Sequence, residues 1–355
     1  MSRARDLADL GGSADAGGLT GRNLIINGGM TVAQRGTQTN QTTAYTACDR
    51  FQFVVVDSSA VVTSTQSTTV PSGQGFASSL KLDVTTADSS LASSDLAFLR
   101  QTIESQNLQH LNYGTSGAKS LTLSFWVRSS KTGTHIAELR HDDATYFNSQ
   151  IYTISSANTW QKVTLTYDGY VTTALNNDNG AGIKINWWLA AGSAYSGGTL
   201  SSNTWQNTQA NRAVGQVNVM DSTSNNFYIT GVQLEVGETA TPFEHEDYGT
   251  TLRKCQRYFE LLGHATNAGS ADTFSLMSLP FNGATNNQWI DIPFMVEKRA
   301  APTSIVAFNG YALPSATVVG FSTNGMTLFK ASQMYFTKSS GGSQGDAVAS
   351  VSAEL

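Results

Sequence analysis

Charge is what this sequence has least of. Asp, Glu, Lys and Arg make up 13% of its 355 residues, about half the usual share of roughly 25%. Long solvated helices carry such residues on their wet face, so the shortage argues against a helical protein. Clustered Lys and Arg are missing too. The formal net charge is −5, and the modestly basic spots are Arg3/Arg5, Arg253-Lys254 with Arg257, and Lys298-Arg299. A protein that binds nucleic acid by neutralising phosphates needs more than that, so no nucleic-acid partner is expected. No apolar run approaches the ~20 residues that span a bilayer; Phe53-Val54-Val55-Val56 is far too short. The first residues, MSRARDLADLGGSADAGG, lack the apolar stretch of a secretory signal. The expectation is a chain made in the cytoplasm and not inserted in a membrane. Cysteine is scarce: a disulfide framework needs more than Cys48 and Cys255. The two could pair across the fold, but their number favours buried thiols.

What fills the gap is Ser, Thr, Asn, Gln and 32 glycines, beside 40% apolar residues. Thr and aromatics pack well on a pleated surface, and Gly, Asn and Ser turn corners. The apolar content with low net charge also excludes disorder driven by charge. The length allows about two domains of roughly 150 residues.

Residues 1–22 stand apart. Ala4, Leu7, Ala8 and Leu10 can share one side of a short helix that Gly11-Gly12 would end, and small residues follow to Gly21. Such a piece buries too little to fold alone and is expected to dock elsewhere, with Leu7 and Leu10 as its apolar contacts. From Asn23 onward, short strand-like runs alternate with turns. Leu24-Ile25-Ile26 meets the turn signal Asn27-Gly28-Gly29. Strands are predicted at Phe51–Val56, Ser79–Val84, Leu121–Val127, Ile136–Leu139, Tyr146–Ile154, Gln161–Tyr167, Ile183–Leu189, Val214–Met220 and Phe227–Val236. In the third of the alternating runs, Leu121, Leu123, Phe125 and Val127 share one face, while Thr122, Ser124 and Trp126 share the other. Many short strands with scarcely a helical period imply an all-β protein: an antiparallel β-sandwich (jelly roll) over 23–247. Between 248 and 263 the period changes. Tyr248, Leu252, Cys255, Phe259 and Leu262 fall 4, 3, 4 and 3 apart, an a/d stripe that predicts a short connector helix ended by Gly263. A strand over Arg257–Leu262 is the other reading of those residues. A second, smaller β domain should occupy 264–355.

Chemistry is sparse. His110, His135, His141, His245 and His264 show no HExxH or CxxC spacing, so neither a metal nor a cofactor is indicated. Glu244-His245-Glu246-Asp247 reads as a solvated corner between domains, His141-Asp142-Asp143 as a hairpin end, and Asp178 within its Asn-rich loop as an ordinary turn. Gly341-Gly342-Ser343-Gln344-Gly345 matches GxSxG in letters only, because a nucleophile elbow needs a following helix and a later His. Asp57, Asp83, Glu104, Glu138 and Asp168 are scattered carboxylates, and no catalysis is expected. The remaining signal is aromatic. Trp187-Trp188 on one strand should send one ring inward and one outward, and Tyr195 and Trp205 sit nearby in polar segments. Flat rings edged with amides and hydroxyls suit sugars, so Trp187, Trp188, Tyr195 and Trp205 are the candidate glycan-binding residues.

Three stretches carry a resemblance. Asn23 to Thr37 (NLIINGGMTVAQRGT) and the Tyr45…Asp49-Arg50-Phe51 segment resemble the opening of many tailed-bacteriophage fibre and tail proteins. Phe227 to Gly237 (FYITGVQLEVG), Thr239 to His245 and Cys255-Gln256-Arg257-Tyr258-Phe259 resemble the end of the same domain. Leu121–Val127 and Trp160–Thr164 are similar to jelly-roll carbohydrate-binding modules. The resemblance covers about 1–260 of the chain. It implies a structural, receptor-binding protein of the virion tail that contacts host-surface polysaccharide. Residues 1–22 would dock on other tail or baseplate proteins. It also implies a homotrimer, for which the 248–262 stripe offers an interface, and it transfers no catalytic residues.

Overall fold

The computed structural model describes residues 21–261, 288–302, 304–308, 316–317, 330–338 and 348–354. The chain divides into two compact units, Met1–Thr251 and Leu252–Leu355. The first is a jelly-roll β-sandwich of two six-stranded antiparallel sheets. Its strands are β1 (Gln38–Gln41), β2 (Ala44–Tyr45), β3 (Phe51–Val56), β4 (Val61–Ser67), β5 (Ser79–Thr86), β6 (Leu96–Glu104), β7 (Leu121–Ser129), β8 (Gly133–His141), β9 (Tyr146–Ile154), β10 (Gln161–Tyr167), β11 (Ala181–Ala191) and β12 (Asn226–Val236). One sheet runs β1-β4-β5-β12-β7-β10 and the other β2-β3-β6-β11-β8-β9. Chain neighbours often lie in different sheets, as in a Greek-key sandwich.

Period-two alternation builds the core, because successive side chains point to opposite faces. Leu121, Leu123, Phe125 and Val127 of β7 meet Ile183, Ile185 and Trp187 of β11 in one apolar cluster between the sheets, all essentially unexposed. Burying such large side chains contributes about 1.5–3 kcal/mol each. Most of the predicted strands are present, and β3, β9 and β10 have the expected ends. Three expectations change. Leu24–Ile26 is not a strand but leads directly into the turn after it. Val214–Met220 forms turns and a 3-10 segment (Val219–Asp221), because the Asn218 side chain accepts the Met220 N–H and closes a cap. β1, β2, β4 and β6 are additional; β6 is almost wholly buried, so its run LAFLRQTIE shows little alternation.

Helix α1 is a single turn, Ser193–Ser196. Helix α2 spans Tyr248–Gln256, with Asp247 accepting the Thr250 N–H at its start. The predicted connector to residue 263 is therefore too long. The helix closes on the Tyr258 N–H bond to the Cys255 carbonyl, and the chain turns into strand β13 (Phe259–Leu261). The stripe is accordingly not one helical seam: Phe259 lies on a strand, and Leu262 lies outside the described residues. Cys255 and Phe259 are buried, and Tyr248 is exposed.

In the second unit, β13, β15 (Ser304–Phe308) and β18 (Val348–Ser352) form one sheet in the order β13-β18-β15. β14 (Gln288–Pro293), β16 (Ala316–Thr317) and β17 (Lys330–Lys338) form another in the order β14-β17-β16. Lys298 is fully buried, where it pairs with Glu260 and donates to the Gln256 carbonyl at 2.5 Å. Burial pushes its ammonium below the ordinary value in spite of Glu260. The GxSxG letters lie outside the described residues, as do Leu7 and Leu10. Cys48 and Cys255 are both buried thiols.

Candidate functional site

The two stretches that opened and closed the resemblance, some two hundred residues apart, meet in a clasp over one end of the first sheet. The Leu24 N–H donates to the Leu234 carbonyl at 2.9 Å. The Asn23 side chain donates to the Val232 carbonyl and accepts the N–H groups of Ile25 and Leu234. Glu244 accepts the Gly21 and Asn23 N–H groups at 2.5 and 2.9 Å, so it is a clasp residue and not a solvated corner. Gly28 is required there: a Cβ on it would stand 2.0 Å from the Val232 oxygen. Asn27, at φ 62°, bonds Val32 at both its carbonyl and its N–H and also the Asp49 carbonyl. Gln34 donates to Asp49 through its backbone and side chain, and Arg35 lies 3.5 Å from the same carboxylate. The signature residues hold the sandwich shut.

The clasp also covers part of a sheet face. The outward side chains of β7 and β12 are Thr122, Ser124, Trp126 and Arg128, and Tyr228, Thr230, Gln233 and Glu235. Thr241 and Pro242 take up Gln233, Thr241 and Arg22 take up Glu235, and the Gly237 carbonyl takes up Thr122. The other half stays open. There Trp126 and Trp160 are half-buried, and Tyr228, itself buried, lies between two cations, with Arg128 4.6 Å and Lys81 5.6 Å from its ring. The Trp160 and Tyr228 rings meet edge-on at 6.1 Å. Trp126 stands opposite Lys162, and Trp160, two residues before that lysine, is its diagonal neighbour, a separation of about 7–8 Å in such ladders. Lys81 pairs with Asp83 at 2.6 Å. Two partly exposed indoles edged by Lys, Arg, Asp and Thr make a stacking surface for a flat, hydroxylated ligand.

The four nominated residues divide differently. Trp187 points inward and packs on Phe51 and Phe125, fully buried. Trp188 does point outward, as alternation requires, yet it is also fully buried. A roof formed by residues 192–221 lies over it, with Tyr195, Leu200 and Ala213 packed on Trp188, Phe98, Val54 and Ile136. Both tryptophans are corrected: an enclosed ring cannot stack on a sugar. Tyr195 is half-buried against Trp188 at 5.8 Å. Trp205 is half-buried against Tyr170 and Tyr113, with its indole N–H donated to the Asp168 carbonyl. The structure does not bring Trp205 together with Tyr195 and Trp188. Trp126 and Trp160 were not among the nominated residues, although alternation along Leu121–Val127 already placed Trp126 on the face away from the core. Asp178 accepts the Gly180 N–H in an ordinary turn. Among the described residues, no group of His, Cys, Asp and Glu could hold a metal ion, and no helix is long and apolar enough to cross a membrane.

With an all-β jelly roll established, comparison with known proteins gives the following. No family model matches the sequence. No curated protein matches it. Several solved structures are similar in fold. The enzymatically active domain of tailspike protein 4 of bacteriophage CBA120 matches 61% of this chain at 15% identity and a TM-score of 0.31. The chain spans 21% of that tailspike chain. A family 11 carbohydrate-binding module from Clostridium thermocellum, in complex with a β-1,3-1,4-mixed-linked tetrasaccharide, matches 54% of this chain and 91% of its own, at 10% identity and a TM-score of 0.28. The module TmCBM61, in complex with β-1,4-galactotriose, matches 61% and 99%, at 12% identity and a TM-score of 0.30.

Proposed function

We propose that this chain is a structural, receptor-binding protein of a bacteriophage tail whose jelly roll holds a host-surface glycan on Trp126 and Trp160, without catalysing a reaction. The open half of the first sheet's outer face carries the reading. Solvent-facing indoles are costly to leave uncovered and rarely grouped without a ligand or partner. The tail assignment rests on the opening and closing motifs, and the clasp explains why those residues occur as a set. In this reading residues 1–22 dock on another tail or baseplate protein through Leu7 and Leu10, the chain is a homotrimer, and it resides in the virion. Among the described residues of the stripe offered for the trimer, Tyr248 and Leu252 have side chains open enough to meet another copy.

The test is binding of the purified full chain to polysaccharide extracted from host cells, with reducing-sugar release followed in the same samples. Saturable binding without release supports the reading. Release would make the chain an enzyme, and an absence of binding would remove the receptor role. Light scattering addresses assembly: a homotrimer has three times the 37.8 kDa chain mass, and a mass of one chain would contradict it.

A further inference from the structure

The second sheet's outer face carries a different chemistry. Laterally paired residues share a face, so the register places Gln52, Arg100, Asn186 and Glu138 in one row, with Thr102, Lys184 and Arg140 in the next. The roof supplies Arg212, which grips Glu138 with two bonds of 2.8 and 2.7 Å while lying 5.0 Å from the Trp188 ring. Asn186 donates to the same carboxylate at 2.6 Å. Glu138 is therefore fully engaged. Asp142 serves both Lys184, at 2.8 Å, and Arg140, at 3.2 Å. Arg100 lies over the Phe98 ring at 4.6 Å and donates its Nε to Asn186 at 2.8 Å. It has no carboxylate of its own among the described residues.

The strip holds Arg100, Arg140, Lys184 and Arg212 against Glu138 and Asp142, four positive groups to two negative. Arg50 and Glu104, at its far end, are buried and add one of each sign. Excess charge on a partly desolvated surface is expensive unless an anion completes it. Burial pushes the Arg100 guanidinium down to about 10 in spite of Glu138, and Arg140 and Arg212 add to the fall. Burial likewise lowers the Lys184 ammonium in spite of Asp142. The terminal nitrogens of Arg100 form a planar fork, which suits a carboxylate better than a hydroxyl. Among the described residues the half-buried Gln52 amide beside it makes no side-chain hydrogen bond, and Thr102 lies diagonally opposite.

We infer that this strip is a second ligand site, which takes the carboxylate of an acidic saccharide on Arg100, with Lys184 and Arg140 beside it. The inference extends the receptor-binding reading but uses the opposite face of the sandwich, so the two can fail separately. The test is calorimetric titration of the full chain with a galacturonate oligomer, a neutral glucan oligomer of the same length and free galacturonate, at low salt. The expected result is that the galacturonate oligomer binds, that Arg100→Gln weakens it about tenfold or more, and that Arg100→Lys falls between. Binding of free galacturonate with the same dependence on Arg100 would assign the site to the carboxylate alone and overturn the saccharide. Uronate binding that depends on Trp126 and not on Arg100, or no uronate binding, would overturn the site. Neutral-glucan binding lost in Trp126→Ala would still leave the first reading intact. Should Arg100→Gln fail to fold, the side-chain Nε–H resonance of Arg100 in the unaltered chain decides: it should shift on adding the oligomer, and an unmoved signal contradicts the proposal.

Discussion

The two outer faces of the sandwich are each half covered, and the coverings leave opposite chemistry exposed. On the first sheet the clasp lies over the polar half, Thr122, Gln233 and Glu235, and leaves Trp126 and Trp160 partly open beside the buried, cation-flanked Tyr228. On the second sheet the roof lies over the apolar half, Val54, Phe98 and Trp188, and leaves Arg100, Lys184 and Arg140 partly open. The same strand alternation produced both outward tryptophans, Trp126 and Trp188. What separates a stacking surface from a second core is the loop that lies over it.

The largest effect should come from breaking that second core. Trp188→Ala removes a fully buried indole in contact with Phe98, Tyr195 and the Arg212 guanidinium. A loss of about 3–5 kcal/mol is expected in denaturant unfolding. Trp126→Ala should cost less than about 1 kcal/mol. Equal losses would erase the distinction between the faces.

A loss of similar order should appear on acidification. His135 is buried between the sheets, stacked on Tyr152, and burial pushes its imidazole from 6.5 down to about 4. The fold favours the neutral form, so the unfolded chain takes up protons first. The stabilisation is complete above about 6.5 and is lost as pH falls toward 4, on the order of 3 kcal/mol in all. Burial lowers His141 in the same direction. Unfolding free energies measured from pH 7 to pH 4 should show this fall, and His135→Phe should flatten it. An unchanged acid limb in that variant would assign the loss elsewhere.

The clasp should matter less per residue. Asn23→Ala deletes one donated and two accepted hydrogen bonds and should cost about 1–3 kcal/mol, read as a lower denaturation midpoint with an unchanged slope. A wild-type midpoint would mean that the clasp does not hold the first sheet's covered half.

Much of this architecture was legible in the sequence. Leu121–Val127 and Gln161–Tyr167 alternate cleanly because each has one face in the core, and they pair side by side in the first sheet. β6 was hidden for the converse reason: the roof buries much of its outer face as well, so Leu96, Phe98 and Thr102 read no differently from Leu99 and Ile103. The connector helix was overextended because Tyr, Phe and Leu spaced 3 and 4 apart satisfy a helix, while the pairing of Phe259 with Ser352 is set by residues far along the chain. Trp187 and Trp188 were nominated because their adjacency drew attention, and periodicity says which way a side chain points but not what covers it. Arg100 gave no local sign at all. Its excess charge emerges only when three strands and a loop bring Arg140, Lys184 and Arg212 beside it.

The most direct test of the account is host-cell binding by the Trp126→Ala/Trp160→Ala double variant, compared with the unaltered chain at matched folding. The account predicts that the double variant keeps its unfolding midpoint to within a degree or two, losing less than about 1–2 kcal/mol, while its affinity for host-surface glycan falls by about a hundredfold, the loss of two stacking contacts. Full binding by a folded double variant would contradict it.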